Sequence, residues 1–580
     1  MRITTFIAVA LLLASTEARP PNVLVILTDD QGWGDLSING NRNLDTPNID
    51  RLAHEGITLE NFYVCQVCAP TRAEFLTGRY YPRTGVSGVS TGQGRLNYDE
   101  TTIADVFKEA GYATGAFGKW HNGTQPPYHP NDRGFDEYYG FTSGHWGYYF
   151  SPPLDHNGKR VRGKGYVVDD FTDKAISFIE SNKDSPFFCY VPYNTPHSPM
   201  MISERFYGKF RDADPEMRHR DPEKEDLMMN RAALAMCENI DWNVGRLLAK
   251  LDELKIANDT IVLFFSDNGP NSLRWNGGMK GRKGSIDEGG LRSPFFIRWP
   301  ATLPAGESRE EISGAIDLLP TLADLAGIDA KTQKSIDGRS IRPILLGNEN
   351  NGESRTLFSI KNKQVSVRTQ RFRLDSDNQL FDIEQDRGQR TNVASKHPEV
   401  ARRLEAQAQE FLESMQLQFE KHRDRPFTVG YAKSTTLPAR DGVPHGEIKR
   451  SSKAPNNSFF THWKRTGDSI TWKIDVGETS NYEAILYYTC KAGNEGSTIQ
   501  LSSSNGGTVQ ANIVTAFDPP LYDKSIERMA ESHYFVKDFI PLKLGTLTLK
   551  KGRATLSLKA TRIPGDQAID VHSIDLIRVD

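Results

Sequence analysis

The sequence predicts an α/β protein with a mostly parallel central sheet flanked by helices, followed by a small α+β subdomain and an appended antiparallel β-sandwich. Three observations support this fold class. Apolar runs of strand length alternate with helical patterns over residues 22–350, a few short strands precede a long helical pattern over residues 351–420, and short β-rich segments fill residues 446–580. Alternating strands and helices are typical of folds built around a parallel sheet.

The predicted central strands are four apolar runs with little polar alternation, as expected for strands that are buried on both faces. Helical patterns lie between them, so residues 22–350 are predicted to form one large α/β domain. The four strands are Val23–Thr28, Ala113–Phe117, Phe187–Val191 and Ile261–Phe265, and the helices are Asn48–Glu55, Thr102–Ala110, Asp170–Glu180 and Arg231–Leu254.

Residues 351–420 are predicted to form the small sheet-plus-helix subdomain, because five apolar residues near its end lie on one helical face. These are Val400, Leu404, Ala408, Phe411 and Met415. Residues 421–445 contain three prolines and little periodicity, which indicates a linker or a surface loop.

The partial period-2 alternation of residues 446–580, with turns such as Asn505-Gly506-Gly507, predicts the antiparallel sandwich. Its aromatic residues Phe459, Phe460, Trp463 and Trp472 are expected in the core and at interfaces rather than as platforms for sugar.

Composition and charge exclude several classes. The chain has 71 basic and 74 acidic residues, a net charge of −3, so it lacks the basic footprint of a nucleic-acid-binding protein. Five cysteines in 580 residues do not make a disulfide scaffold. Residues 1–18 are predicted to be a signal peptide, with Arg2, the short apolar run Phe6–Ala14 and small residues near position 18. No later run is long and apolar enough to span a membrane, so an exported, periplasmic or secreted protein is expected.

Polar side chains follow each of the four predicted strands. Asp29 and Asp30 follow the first, Lys119 and His121 the second, His197 the third, and Asp267 with Asn268 the fourth. Ligands collect at the carboxyl ends of strands in open α/β sheets, so a site is predicted there. Asp29, Asp30, Asp267 and Asn268 supply only oxygen ligands, which favour Ca²⁺, with Mg²⁺ second, over zinc. Solvated caps and turns explain this pattern equally well when it is taken alone.

The segment Cys68-Ala69-Pro70-Thr71-Arg72 places a cysteine just before a predicted helix, which Pro70 favours as an early helical residue. A helix N-terminus stabilises an anionic oxygen or thiolate, and Arg72 lies one turn further on. The alternative interpretation is an ordinary buried cysteine ahead of a short helix.

The segment from Cys68 to Arg79 resembles the signature of the formylglycine-dependent sulfatases of the alkaline phosphatase superfamily, which reads Cys-x-Pro-Ser-Arg followed by Leu-Thr-Gly-Arg. Thr71 replaces the usual serine, and Leu76-Thr77-Gly78-Arg79 matches the second half. The resemblance extends over most of the first 420 residues, in blocks that keep the family order. These blocks are 22–35, 46–52, 111–121, 195–199, 266–270, 283–294 and 317–327.

The resemblance implies a sulfuric ester hydrolase with an alkaline-phosphatase-like fold. In this family the signature cysteine is oxidised to formylglycine (3-oxoalanine) by a maturation enzyme, so residue 68 is expected to be the nucleophile and a ligand of Ca²⁺. Lys119 and Lys283 are implied to anchor sulfate, Arg72 to lower the pKa of the hydrate, His197 to act as general acid and substrate-binding residue, and His121 to act as base. The expected partners are a sulfated carbohydrate and the maturation enzyme.

Two alternative functions stay open from the sequence. The first is a phosphodiester or phosphonate monoester hydrolase of the same superfamily, and the second is an inactive pseudoenzyme that binds sulfated glycans. A cluster formed by His145, Trp146, Tyr148 and Tyr149 is compatible with a sugar pocket and with a packed loop. The sequon Asn122-Gly123-Thr124 follows His121, where a glycan would block the predicted site, and this favours a bacterial exported protein.

Overall fold

The computed structural model describes residues 19–348, 355–529 and 534–579. The predicted signal peptide and the boundary near residue 350 lie outside these ranges. A ten-stranded sheet forms the centre of the first region, and its five middle strands are parallel. The sheet order is Glu307–Arg309, Ile57–Leu59, Phe295–Arg298, Thr260–Ser266, Asn22–Asp29, Phe187–Pro196, Ala113–Lys119, Glu137–Phe141, Pro153–His156 and Lys159–Arg162.

Both faces of this sheet are covered, as the apolar runs predict. Along the first strand Val23 and Val25 pack into one core, whereas Leu24 and Ile26 pack into the other. Such double burial explains why these strands show no polar alternation. The α-helices are Pro47–His54, Cys68–Thr77, Ile103–Glu109, Val167–Asn182, Glu204–Tyr207, Leu227–Glu253, Glu288–Leu291, Leu318–Leu325, Arg342–Leu345 and Pro398–Lys421.

The last of these helices packs against a four-stranded antiparallel sheet. Its predicted apolar face is turned inward, with Leu404, Phe411 and Met415 buried in the same core as one face of the central sheet. The small subdomain therefore shares its core with the large domain. Its strands are Leu357–Lys361, Gln364–Arg368, Phe372–Leu374 and Leu380–Asp382.

The C-terminal region consists of two sheets around an apolar core that contains Phe460, Trp463 and Trp472, in agreement with the predicted core position of these aromatics. All but one of its strand pairs are antiparallel among the described residues. The longer strands are Ser469–Val476, Ser480–Thr489, Thr498–Ser503, Thr508–Asn512, Ile540–Leu549, Gly552–Arg562 and Asp570–Val579.

Residues 421–445 differ from the predicted linker. The strands Phe427–Val429 and Val443–His445 pair with Ser469–Val476, and Ser434–Pro438 pairs with Asp570–Val579. Val429 and Leu437 lie in the core of the sandwich. These edge strands have three to five residues, which is too short to show a period. Pro426 precedes a strand, Pro438 ends one, and Pro444 lies within the edge strand Val443–His445, where proline is tolerated. The sandwich thus begins near residue 427.

Candidate active site

The carboxyl ends of the parallel strands bring the predicted site residues together. Asp29 ends its strand, Lys119 ends another, and His197 follows the last residue of the strand Phe187–Pro196. Asp267 and Asn268 follow the strand Thr260–Ser266. All of these side chains are buried apart from that of His197, which keeps 13% exposure. The strand endings therefore converge at one edge of the sheet, as predicted.

Cys68 is the first residue of the helix Cys68–Thr77 and is 2% exposed. The helix start is held by Thr71, whose hydroxyl donates to the carbonyl of Asp267 (2.5 Å) and accepts from the backbone N–H of Cys65 (2.8 Å). A serine hydroxyl offers the same donor and acceptor. Thr71 thus makes two hydrogen bonds that a serine at this position could also make.

Three ion pairs hold the buried carboxylates. Arg72 Nη2 lies 2.8 Å from Asp267 Oδ2, and Lys119 Nζ lies 2.5 Å from Asp29 Oδ2. Lys283 is supplied by a loop, and its Nζ lies 2.6 Å from Asp30 Oδ1. Three cations thus face three carboxylates, which is the condition under which buried charges are tolerated.

The residues present fit a divalent cation. Ligand atoms of Asp29, Asp30, Cys68 and His197 all lie within 4.8 Å of one another. Asp29 Oδ1 and Asn268 Oδ1 are buried without a hydrogen-bond partner, so two hard oxygen donors are available. Asp267, which is also a predicted ligand, is not among these four residues; its Oδ2 pairs with Arg72, and its Oδ1 accepts the backbone N–H of Asp30 at 3.2 Å. His197, which was not among the predicted ligands, belongs to the cluster.

The two predicted catalytic histidines have defined hydrogen bonds. His197 Nδ1 lies 2.7 Å from the carbonyl of Ser198, so that Nε2 faces the cluster, 3.8 Å from Asp30 Oδ2. His121 Nε2 lies 3.0 Å from the carbonyl of Val89. A carbonyl only accepts, so this contact assigns the ring proton of neutral His121 to Nε2 and leaves a lone pair on Nδ1, which is buried and has no partner.

The electrostatic environment keeps both histidines neutral near pH 7. Burial and the charge of Lys119 hold the pKa of His121 well below its ordinary value, and burial and the charge of Lys283 lower the pKa of His197. Burial and the charge of Asp29 raise the pKa of the Cys68 thiol to about 12. Unmodified Cys68 is therefore a thiol at neutral pH and a poor nucleophile.

Residues that sequence reasoning did not assign to the site come from the sandwich. Asn456 Nδ2 donates to the Val89 carbonyl (2.8 Å), the same oxygen that His121 contacts. The ring of Tyr534 packs edge-on against His145 at a centroid distance of 5.0 Å, and His145 in turn lies 5.8 Å from the ring of His197. These contacts join segments more than 300 residues apart, and no local pattern signals them.

The aromatic cluster near residue 146 is mostly packed loop. Trp146 stacks on Phe141 at 5.1 Å, and the hydroxyl of Tyr149 donates to the carbonyl of His197 at 2.9 Å. His145 is the member whose ring lies against the ring of His197. The side chain of Asn122 in the sequon is fully buried and donates to the carbonyl of Ala69 at 3.3 Å.

Buried carboxylates and cations grouped around a side chain at a helix N-terminus define a hydrolase-type site for an anionic substrate. The model of the family described as Sulfatase matches residues 21–328, and the one described as N-sulphoglucosamine sulphohydrolase, C-terminal, matches residues 282–417. The first match covers more than half of the chain. The chain belongs to the sulfatase family and is a sulfuric ester hydrolase.

Relatives with known names agree with this assignment. N-acetylgalactosamine-6-sulfatase of Mus musculus is 32% identical over 376 residues, 58% of this chain and 68% of that protein. Steryl-sulfatase of Rattus norvegicus is 31% identical over 450 residues, 60% of this chain and 75% of that protein. The solved structure of Ps i-CgsB in complex with k-i-k-neocarrahexaose has 29% identity and a TM-score of 0.62, and covers 70% of this chain and 98% of its own.

The family matches end at residue 417, so the sandwich lies beyond both of them. Within the described ranges, no helix combines the length and the apolar character that crossing a membrane requires.

Proposed function

We propose that this protein removes sulfate from a sulfated carbohydrate, with formylglycine at position 68 as nucleophile and a bound Ca²⁺. The buried cluster at the N-terminus of the helix Cys68–Thr77 carries this proposal. Its thiol, with a pKa of about 12, is unsuited to attack as it stands. Conversion to an aldehyde by a maturation enzyme, followed by hydration, replaces that thiol with two hydroxyl groups.

The charge balance of the cluster supports the cation. Asp29, Asp30 and Asp267 are offset by the side chains of Arg72, Lys119 and Lys283, which together bring the charge of the cluster near zero. A sulfate monoester brings one negative charge, and an ionised hydroxyl at residue 68 brings a second. Asp29, Asp30, Asp267, Asn268 and residue 68 would hold a divalent cation, which would compensate both charges and stabilise the charged oxygens.

The two histidines divide the proton transfers. One hydroxyl of residue 68 first loses its proton to solvent, and the bound sulfate anion favours uptake of a solvent proton by His197 Nε2. The ionised oxygen of residue 68 bonds to sulfur while the bond from sulfur to the leaving sugar oxygen breaks, and His197 Nε2 gives its proton to that sugar oxygen. His121 Nδ1 then takes the proton of the second hydroxyl and later releases it to solvent, the carbon–oxygen bond to the sulfate breaks, and the aldehyde reforms. Water restores the hydrate. Lys119 and Lys283 hold the sulfuryl oxygens throughout.

A carbohydrate substrate is favoured over a sterol by the relative N-acetylgalactosamine-6-sulfatase and by the neighbour that was solved in complex with k-i-k-neocarrahexaose. The relative steryl-sulfatase favours the other choice. The small pocket beside His121 carries hydroxyl, amide and guanidinium groups, which suit a polar substituent of a sugar. The lining side chains with these groups are Ser90, Thr91, Arg95, Thr124, Gln125, Thr142, Ser143, Arg440 and Asn456.

The test is an assay of full-length protein produced with its maturation enzyme and exported from the cell. We expect it to hydrolyse 4-nitrophenyl sulfate and sulfated galactose derivatives with a higher kcat/KM than 4-nitrophenyl phosphate or phenylphosphonate monoesters. Mass spectrometry of the peptide that contains residue 68 should show formylglycine. Active protein with only an intact thiol would contradict the mechanism, and a preference for phosphonates would favour the alternative hydrolase.

Metal removal provides a second measurement. A chelator should abolish activity, and Ca²⁺ should restore it better than Mg²⁺, because the site offers several oxygen donors without strict octahedral geometry. Activity that survives exhaustive chelation would exclude the cation.

A further inference from the structure

A small pocket lies between the catalytic domain and the sandwich, beside His121, the proposed base. Gly94 also lines it and lies close to Ala69, the residue that follows Cys68. A group bound in this pocket therefore lies next to one of the two proposed proton-transfer residues.

The outer wall of this pocket is built by the sandwich and held in place by specific contacts. Ser143 Oγ donates to the carbonyl of Asn456 at 2.7 Å, and Asn456 Nδ2 donates to the Val89 carbonyl at 2.8 Å. Arg440 Nη2 donates to Thr124 Oγ1 at 2.8 Å. The wall is fixed to three separate loops of the catalytic domain, so its geometry is defined before any ligand binds.

The pocket carries an excess of positive charge. Arg440 and Arg95 line it, and Asp441 is the one carboxylate among its lining residues, all of which are described. Arg440 Nε lies 3.9 Å from Asp441 Oδ1, beyond hydrogen-bond distance, while Asp441 accepts instead from Gln125 Nε2 at 3.2 Å. The buried guanidinium of Arg440 is thus only weakly compensated.

Arg440 and Arg95 differ in what their N–H groups do. Arg95 donates to the carbonyls of Gly92, Pro426 and Arg425, so its side chain is engaged in holding loops. Among the described residues the one hydrogen bond of Arg440 goes to Thr124, and a guanidinium has five N–H donors. A purely structural arginine at 13% side-chain exposure is expected to use more of them, as Arg95 does.

We propose that this pocket is a subsite for a second oxyanion of the substrate, a carboxylate or a further sulfate on the sugar that carries the scissile sulfate or on its neighbour. Arg440 recognises the anion, and Asn456 shapes the wall. The cavity volume is about 30 Å³, room for about two water molecules, which suits one charged substituent and not a whole sugar ring. This inference rests on the proposed function, and it makes the sandwich part of the active site rather than a separate sugar-binding module.

The test measures the affinity of three probes for full-length Cys68→Ala protein, which is expected to bind without turnover. The probes are N-acetylgalactosamine 6-sulfate with one anion, its 4,6-disulfate with a second sulfate, and the chondroitin 6-sulfate disaccharide with a carboxylate. In titration calorimetry, at least one of the two dianionic probes should bind with a Kd about tenfold lower than the Kd of the monoanionic probe, as expected for a charge-assisted hydrogen bond. A lower Kd for the disulfate would indicate that the pocket recognises sulfate, and a lower Kd for the disaccharide would indicate that it recognises a carboxylate.

Added substitutions assign the preference to the arginine. Arg440→Gln should abolish the tenfold difference, and Arg440→Lys should keep part of it because the charge remains. Arg465→Gln is the matched control, since Arg465 is an exposed arginine of the sandwich that pairs with Glu447 and does not line the pocket. That variant should keep the full difference. Equal affinities for all three probes, or a preference that persists in Arg440→Gln, would overturn the subsite.

The same experiment separates the two proposals. Failure of unmutated protein to hydrolyse any sulfate ester contradicts the proposed function. Protein that hydrolyses 4-nitrophenyl sulfate but shows no binding preference, or no binding of the three probes, contradicts the subsite alone.

Discussion

The catalytic half and the sandwich use buried charge in opposite ways. At the carboxyl ends of the central strands, three carboxylates and three cations lie close together, away from water. The sandwich core is apolar, with Lys537 and Asp570 as an ion pair at its margin, 7% and 8% exposed. Burying charges costs free energy even when the charges are paired. A dense cluster of buried charges therefore indicates a functional site, whereas a single ion pair at the margin of a core is explained by packing.

The halves also differ in what they contribute to the site. The catalytic half supplies the groups proposed to act on the sulfate, and the sandwich supplies side chains around them through Asn456, Arg440 and Tyr534. A domain outside the family matches therefore contributes side chains that surround the candidate active site. Four predictions, made with five variants, test this contrast.

The largest effect is expected at the nucleophile. Cys68→Ala should lower kcat by at least about 10⁴-fold, because covalent catalysis is lost. The fold should persist, since the change removes one buried sulfur atom and no ion pair. Steady-state kinetics and the thermal midpoint check this together. Retained turnover in protein that is shown by mass spectrometry to carry alanine would refute the nucleophile assignment.

The second comparison sets Arg72→Met against Lys537→Met. Arg72→Met leaves Asp267 buried and unpaired, which should lower the free energy of unfolding by about 3–5 kcal/mol and abolish most activity. Lys537→Met leaves Asp570 and Asp518 without their cation and should lower stability too, while most activity remains.

Denaturant unfolding measures the stability of both variants, and sulfate release measures their activity. Equal losses of activity after correction for unfolded protein would show that the two buried charge sites do not differ in function.

A smaller effect is expected from Asn456→Ala in the sandwich. Asn456 is a positioning residue, because it acts on His121 through the shared Val89 carbonyl. We expect kcat to fall a few-fold and the acidic limb of the pH–kcat profile, set by His121 acting as base, to move. Asn457→Ala is the neighbouring control. A loss of thermal stability with an unchanged pH profile would reduce Asn456 to a structural role.

The smallest effect concerns Glu74, a carboxylate of the catalytic half that pairs with no cation among the described residues. Burial raises its pKa to about 8. Because this folded-state value lies above the unfolded one of 4.5, the contribution of Glu74 to stability is complete below pH 4.5 and is lost as the pH rises toward 8.

Glu74→Gln, which cannot ionise, should therefore raise the thermal midpoint at pH 8.5 relative to the unmutated protein, with no gain at pH 4.5. Thermal scans across this range measure the effect. Glu109→Gln, at an exposed position of the same domain, serves as the control for replacing a glutamate by glutamine. An equal shift of the midpoint at both pH values would contradict this assignment.

Much of the fold could be predicted from the residues because buried parallel strands require continuous apolar runs, and the four predicted strands are all present with ends within a few residues. The same logic located the polar groups that follow them. Residues 421–445 were expected to be a linker because three- to five-residue strands with nearby prolines carry no periodic signal.

By itself the sequence determined the α/β core, the sandwich and the order of Asp29, Cys68, Lys119, His197 and Asp267 along the chain. Only the tertiary structure decided which charges pair, that His197 joins the acidic cluster, and that Arg440, Asn456 and Tyr534 border the site. The reason is the sequence separation of the interacting residues. Periodicity and the polar groups at strand ends are visible among neighbouring residues, whereas these contacts form only when the catalytic domain and the sandwich pack together.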